Sequence, residues 1–221
     1  TKVPVVCVGN LVMGGAGKTP VAAVLGAEFA GHGVVVHFLS RGYGGRNSGP
    51  IRVEPRIHVA TEVGDEPLIL SEIAPTWVSR DRTKGAKAAE AAGAEVIVMD
   101  DGFQNPSLAK DLALLVVDGG YGVGNGRVFP AGPLREPWPL GLARADAAIL
   151  IGEDSVAVEV ELRARLPVLR ARFVPAPEAQ RLAGHDVVAF AGIGRPKKFF
   201  DTLSEMGCQL CATRSFSDHH Q

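Results

Sequence analysis

Short apolar runs alternate with stretches whose apolar residues recur at helical spacing. Residues 3–8, 34–39, 76–79, 96–99, 112–117 and 147–151 read as buried strands, and residues 21–30 and 82–92 as helices. A further helix opens at Val63-Gly64-Asp65-Glu66-Pro67, where Asp65 lies near the start and Pro67 suits the first turn. Residues 55–60 read as a short extra strand. This alternation predicts an α/β fold, a mostly parallel sheet with helices on both faces. Past Gly152 the rhythm changes. A helix over 156–166, strands over 168–174, 187–191 and 209–213, and a helix over 197–206 predict a second, smaller α/β unit. The boundary falls in the window 152–175, dividing the chain into 1–152 and 153–221.

The first strand runs into Gly14-Gly15-Ala16-Gly17-Lys18-Thr19, and a helix follows at once. Strand, glycine-rich turn, Lys-Thr and helix form the context of a phosphate-binding loop. Successive backbone N–H groups converge on an anion there, and the helix N-terminus adds its dipole. Lys18 is placed to reach the β- and γ-phosphates of ATP, and Thr19 to offer its hydroxyl to Mg²⁺. The strict pattern wants glycine at position 12, where this chain has Val12. The first domain is therefore expected to be of P-loop nucleotide-binding type.

Composition narrows the field. Apolar residues make up 46% of the 221 positions, enough for a large core, and the formal net charge is −1. That balance provides no general basic field to recruit nucleic acid, so no nucleic-acid partner is expected. No apolar run is long enough to span a membrane, and no signal peptide is expected. Cys7 sits in a predicted strand as a small core residue. Cys208 and Cys211 have redox spacing but no second ligand pair, which fits a reducing compartment better than a metal site.

Other polar clusters sit where predicted strands end, the edge at which open α/β sheets collect ligands. Asp100-Asp101-Gly102-Phe103-Gln104 follows the 96–99 strand. Two adjacent carboxylates suit a magnesium-holding element, and Asp-Gly also suits an ordinary turn. Asp65 reads as an acid on a glycine-framed loop or as a helix cap. Ser40-Arg41-Gly42-Tyr43-Gly44-Gly45 combines a cation and an aromatic on a flexible loop. The long stretch from Gly124-Asn125-Gly126 to Pro130-Ala131-Gly132-Pro133-Leu134-Arg135-Glu136 is too extended for an idle connector, and Arg135-Glu136 could also be a surface ion pair. Ser217-Asp218-His219-His220 offers either an acid–base pair or an exposed tail.

Taken in order, these motifs resemble the tetraacyldisaccharide 4′-kinase family of lipid A biosynthesis. The elements are Val8-Gly9-Asn10-Leu11 with the Gly14-to-Pro20 loop, the Ser40 and Val63 motifs, Asp100 to Gln104, Gly124 to Gly126, Pro130 to Glu136, residues 189–194 and residues 216–220. They span nearly the whole chain, and the family also lacks the first Walker glycine. The resemblance implies phosphorylation by ATP of the 4′-hydroxyl of a tetraacylated glucosamine disaccharide 1-phosphate. It further implies work at the cytoplasmic face of the bacterial inner membrane, and a longer protein: an N-terminal membrane-associated helix before this chain, and a C-terminal domain that stops early here. Gly14, Gly15, Ala16, Gly17, Lys18 and Thr19 are expected to bind nucleotide, Lys18 also to act in catalysis, and Thr19, Asp100 and Asp101 to hold Mg²⁺; the further roles are what the resemblance implies. Asp65 is the base with His219 as its partner. Tyr43, Arg82, Gln104, Arg135 and Glu136 contact substrate or transition state. The competing reading is a P-loop ATPase switch of the partitioning or cofactor-assembly class, whose loop begins with lysine where Met13 stands.

Overall fold

The computed structural model describes residues 1–216. They divide into two compact units, the first Thr1–Ala171 and the second beginning at Arg172. In chain order the first unit contains β1 (Val5–Gly9), α1 (Lys18–Gly31), β2 (Val36–Ser40), β3 (Ile51–Arg52), α2 (Ala60–Val63), α3 (Asp65–Ser71), β4 (Thr76–Val78), α4 (Arg82–Ala91), β5 (Val96–Asp100), β6 (Leu112–Asp118), α5 (Trp138–Leu142), β7 (Ala147–Ile151), α6 (Val158–Arg163) and β8 (Val168–Ala171). The strands form one sheet in the order β3-β4-β2-β5-β1-β6-β7-β8. Only β3 runs antiparallel to its neighbour.

Side-chain alternation along β1 shows how the layers form. Val5 and Cys7 face one core with Ala86 and Ala89 of α4, Trp138 and Leu142 of α5 and Leu162 of α6. Val6 and Val8 face the other, with Ala22 of α1 and Leu70 of α3. Both faces of the strands are covered, so they read as unbroken apolar runs rather than alternating ones. Cys7 is a core residue whose thiol burial pushes up to about 12, which leaves it inert.

Two expectations need correction. Residues 55–60 are not a strand: the chain turns there and enters α2, and the extra strand is the short β3 at Ile51–Arg52. The division drawn at residue 152 moves to 171, because α6 and β8 belong to the first unit. β8 pairs with β7, and Glu159 of α6 accepts hydrogen bonds from Arg163 and from Arg170 of β8. Within the second unit, a 3-10 turn at Pro177–Leu182 precedes β9 (Asp186–Ala191), α7 (Pro196–Glu205) and β10 (Gln209–Ser215). β9 and β10 pair in parallel, and Ala189, Leu203 and Cys208 form a small core with them.

One buried polar pair should contribute acid sensitivity to the first unit. His37 of β2 is 2% exposed, and its Nδ1 accepts from Trp77 Nε1 at 3.2 Å. Burial lowers its pKa below 6.5, the charge of Arg52 lowers it further, and a backbone hydrogen bond at Ala89 opposes both. A depressed folded value means that this contribution is complete above pH ~6.5 and is lost as pH falls toward the folded pKa. Between pH 7.5 and 5 the urea midpoint of the wild type should drop more than that of His37→Phe. Parallel midpoints across that range would assign the acid sensitivity elsewhere.

Candidate active site

The loop between β1 and α1 has the conformation that its glycines allow. Gly14 and Gly17 adopt φ of +99° and +91°, a region closed to most side chains. A Cβ added at Gly14 or Gly15 would meet nothing within 4 Å, so these glycines leave the loop's face open rather than relieve a packing clash. Gly17 is the N-cap of α1 and no side chain caps the helix. The first-turn amides of α1 therefore remain available to an anion.

Parallel pairing sets β5 beside β1 with Val8 opposite Asp100, so the aspartate pair emerges next to the loop. Thr19 Oγ1 donates to Asp100 Oδ2 at 2.9 Å. Asp100 is 2% exposed, and its Oδ1 has no hydrogen-bond partner. Burial pushes its pKa up to about 7, the Thr19 bond and Lys18 pull it down, and Asp101 and Glu66 add to the rise. A buried carboxylate oxygen without a partner is costly and is the kind of ligand a hard cation takes. Thr19 and Asp100 thus fit Mg²⁺. Among the described residues no cluster of three or more His, Cys, Asp or Glu side chains is positioned to hold a metal ion, so the nucleotide's phosphates would have to complete the coordination.

The neighbouring carboxylate has other partners. Asp101 turns away from the strand at φ +50°. Arg135 grips it bidentately, Nη1 to Oδ1 at 2.8 Å and Nη2 to Oδ2 at 3.2 Å, and Lys18 Nζ lies 3.7 Å from Oδ2. Asp101 is thus paired with two cations, unlike Asp100. Arg135 also donates to Gln104 Oε1 at 3.3 Å, and Gln104 Nε2 donates to Glu136 at 3.1 Å and to the Asn10 carbonyl at 2.9 Å. Arg135 and Glu136 do not pair with each other. Glu136 takes Arg144 at 2.5 Å, and Arg144 also stacks over the Phe103 ring.

The Tyr43 and Asp65 motifs meet through glycine contacts. A Cβ on Gly45 would lie 2.7 Å from the Glu62 carbonyl oxygen, and one on Gly64 2.6 Å from that of Tyr43. Arg46 and Asn47 donate backbone hydrogen bonds to Thr61 and Glu62. This close approach sets the Tyr43 loop against the start of α3. Asp65 is the first residue of α3 rather than its cap, since Gly64 holds the cap position, and it is exposed. Arg82 opens α4 and is 3% exposed, donating to the Ser79 carbonyl at 2.5 Å, while its Nε has no partner. Burial lowers its pKa to about 10, nearby Arg41 lowers it further, and Asp101 and Asp100 oppose the shift. His219 lies outside the described residues.

Comparison with known proteins now bears on this geometry. A family model described as Tetraacyldisaccharide-1-P 4′-kinase matches residues 1–221. The chain belongs to that family. It is 60% identical to the tetraacyldisaccharide 4′-kinase of Rhodospirillum rubrum, over 99% of this chain and 67% of the relative. Identity to the kinase of Rhodospirillum centenum is also 60%, over 99% and 65%. The chain therefore spans about two thirds of the length of these relatives. The crystal structure of LpxK from Aquifex aeolicus in complex with ATP superposes with a TM-score of 0.79 at 32% identity, covering 100% of this chain and 73% of that one. Family membership favours the kinase reading over the ATPase switch.

Asn10, Arg41, Glu66 and Arg144 were not singled out as site residues from the sequence. Asn10, Arg41 and Glu66 all lie inside quoted motifs, Arg41 as the cation of the Ser40–Gly45 loop. Arg144 carried no local signal, since only folding brings it to Glu136.

The raised pKa of Asp100 has a definite sign. The folded, nucleotide-free protein holds a proton that the unfolded chain releases near pH 3.8, so stability falls as pH rises from about 4 to about 7. Asp100→Asn mimics the protonated carboxyl and should flatten that fall. Thermal midpoints of both proteins from pH 5 to 8, without nucleotide, measure it. Equal slopes would show that Asp100 is already ionised.

Proposed function

We propose that the protein to which this chain belongs transfers the γ-phosphoryl group of ATP to the 4′-hydroxyl of a tetraacylated glucosamine disaccharide 1-phosphate. The observation that carries the reading is the pairing of Thr19 with a buried, half-satisfied Asp100 directly beneath an open glycine loop. In this reading the loop amides from Gly14 to Gly17 and Lys18 hold the phosphates, and Thr19 and Asp100 hold Mg²⁺. Mg²⁺, when bound, supplies neutralisation of charge on the phosphate oxygens. The sugar oxygen attacks phosphorus, the bond to the ADP oxygen breaks, and Asp65 receives the hydroxyl proton. Lys18 balances the charge that develops on the γ-phosphoryl oxygens. His219, which the family resemblance implies as the partner of Asp65, is part of this proposal.

Exposed apolar side chains at the same sheet edge support an acylated acceptor. Met13, Tyr43 and Phe129 are 50%, 68% and 62% exposed. Arg41, exposed on the Tyr43 loop, adds positive charge suited to a phosphorylated lipid. Such an acceptor would have the protein work at the cytoplasmic face of the inner membrane. No helix among the described residues is long and apolar enough to cross a bilayer.

Lys18→Ala should lower turnover by ~10²–10³, the usual cost of losing one preorganised electrostatic contact. Near-normal turnover would remove Lys18 from the transition state. Asp65→Asn keeps the shape but cannot take a proton, and should cost ~10²–10⁴ in kcat with ATP affinity nearly unchanged. Collapse of ATP binding in that variant would make Asp65 part of the nucleotide site instead. Both are measured as transfer of labelled phosphate from ATP to the disaccharide lipid by the full-length protein.

A further inference from the structure

The position where the chain departs from the strict phosphate-loop pattern has a structural use. Val12 forms an antiparallel bridge with Leu134, and Leu134 forms a parallel bridge with Val128. Met13 N–H donates to the Pro133 carbonyl at 2.8 Å and Arg135 N–H to the Leu11 carbonyl at 2.7 Å. Across the second rung, Phe129 N–H donates to Leu134 at 2.9 Å and Leu134 N–H to Arg127 at 3.1 Å. Val12 and Leu134 are buried together in the main core, 9% and 0% exposed. The Asn10 side chain fastens the ladder from one side, donating to the Val12 carbonyl at 2.7 Å. Asn125 braces the loop itself, donating to Ala131 at 2.9 Å and accepting from Arg127 at 3.1 Å.

Glycine at position 12 would leave this entry to the loop conformationally free and without a side chain to bury. Valine, β-branched and suited to extended backbone, docks it on the 127–135 segment through an isolated bridge. That segment ends at Arg135 and Glu136 follows it, and both side chains enter the polar network around Asp101 and Gln104. The first half of the glycine loop and the 127–135 segment, which carries Phe129 and leads into the Arg135–Glu136 dipeptide read as contacting the acceptor, are thus one hydrogen-bonded piece. Ordering either end lowers the entropic cost of ordering the other.

We propose that the Val12–Leu134–Val128 ladder is a positioning device that couples the two sites, so that acceptor and nucleotide each raise the other's affinity. Val12 and Leu134 are its positioning residues. The inference rests on the kinase reading above. Coupling between sites of this kind typically amounts to ~5–150-fold in affinity, and it is reciprocal.

The test uses full-length protein, a non-hydrolysable ATP analogue with Mg²⁺, and the tetraacyldisaccharide acceptor in detergent micelles. Analogue affinity is measured without and with saturating acceptor, and amide exchange at Met13 is followed in the nucleotide-free protein. Wild type should bind the analogue at least ~5-fold tighter with acceptor present. Val12→Gly removes a buried side chain and should lower the thermal midpoint; beyond that, it should bring the ratio close to one and speed Met13 exchange at least ~10-fold more than exchange in the core strands, because the bridge opens locally rather than the fold. Val12→Ile should keep both. Leu134→Ala, at a fully buried position, is the variant most prone to unfold, so the Val12 pair decides. Wild type that transfers phosphate yet shows no coupling overturns the proposal, as does Val12→Gly with the ratio intact. Wild type that transfers no phosphate overturns the kinase reading beneath it.

Discussion

The parallel pairing of β1 with β5 is the constraint on which the site depends. One strand ends in the glycine loop and the other in two aspartates, and the register that sets Val8 opposite Asp100 delivers both to the same point. Thr19, at the start of the helix that follows, then reaches Asp100 without any long connection. Slipping the register by one residue would turn Asp100 to the other face and exchange the two cores. The apolar side chains on both faces of β1 and β5 hold the register against that slip.

The adjacent aspartates illustrate how environment separates chemically identical groups. Asp100 is buried at the strand end with one oxygen unmatched, so burial works against its charge. Asp101 turns out of the strand, is partly exposed and is flanked by Lys18 and by the fork of Arg135. One carboxylate is left wanting a cation, and the other is satisfied by cations the protein already contains. Bidentate Arg–carboxylate pairs give geometric definition as well as energy, and this one ties the 127–135 segment to the strand that bears Asp100.

Much of this arrangement could be read in advance. Most strands and the main helices follow from apolar runs and helical spacing, and Lys18, Thr19 and Asp100 follow from motifs that report on their own neighbourhood. The misreadings have physical causes. Residues 55–60 look extended because Pro55 and the apolar Ile57, Val59 and Ala60 suggest a strand, yet Ile57 and Val59 end up exposed with no sheet partner. β3 is too short to leave a periodic signal. The compact units divide at 171, late in the window 152–175, because the change of pattern at 152 marks a change of connection, while β8 still adds to the edge of the sheet through β7 and through Arg170 on Glu159.

The sequence by itself determined the kind of molecule: an α/β sheet buried on both faces, a phosphate-binding loop leading into a helix, and acids and cations gathered where strands end. These are local properties, legible because strand, turn and helix preferences act over a few residues. Only the tertiary structure decided the pairings. It gave Arg135 to Asp101 rather than to Glu136, joined Arg144 to Glu136, and docked Val12 against Leu134. Each of these contacts joins side chains or backbone from distant stretches, and no local preference encodes which partner wins. Strand order and close packing choose it, because they alone set which loops share an edge.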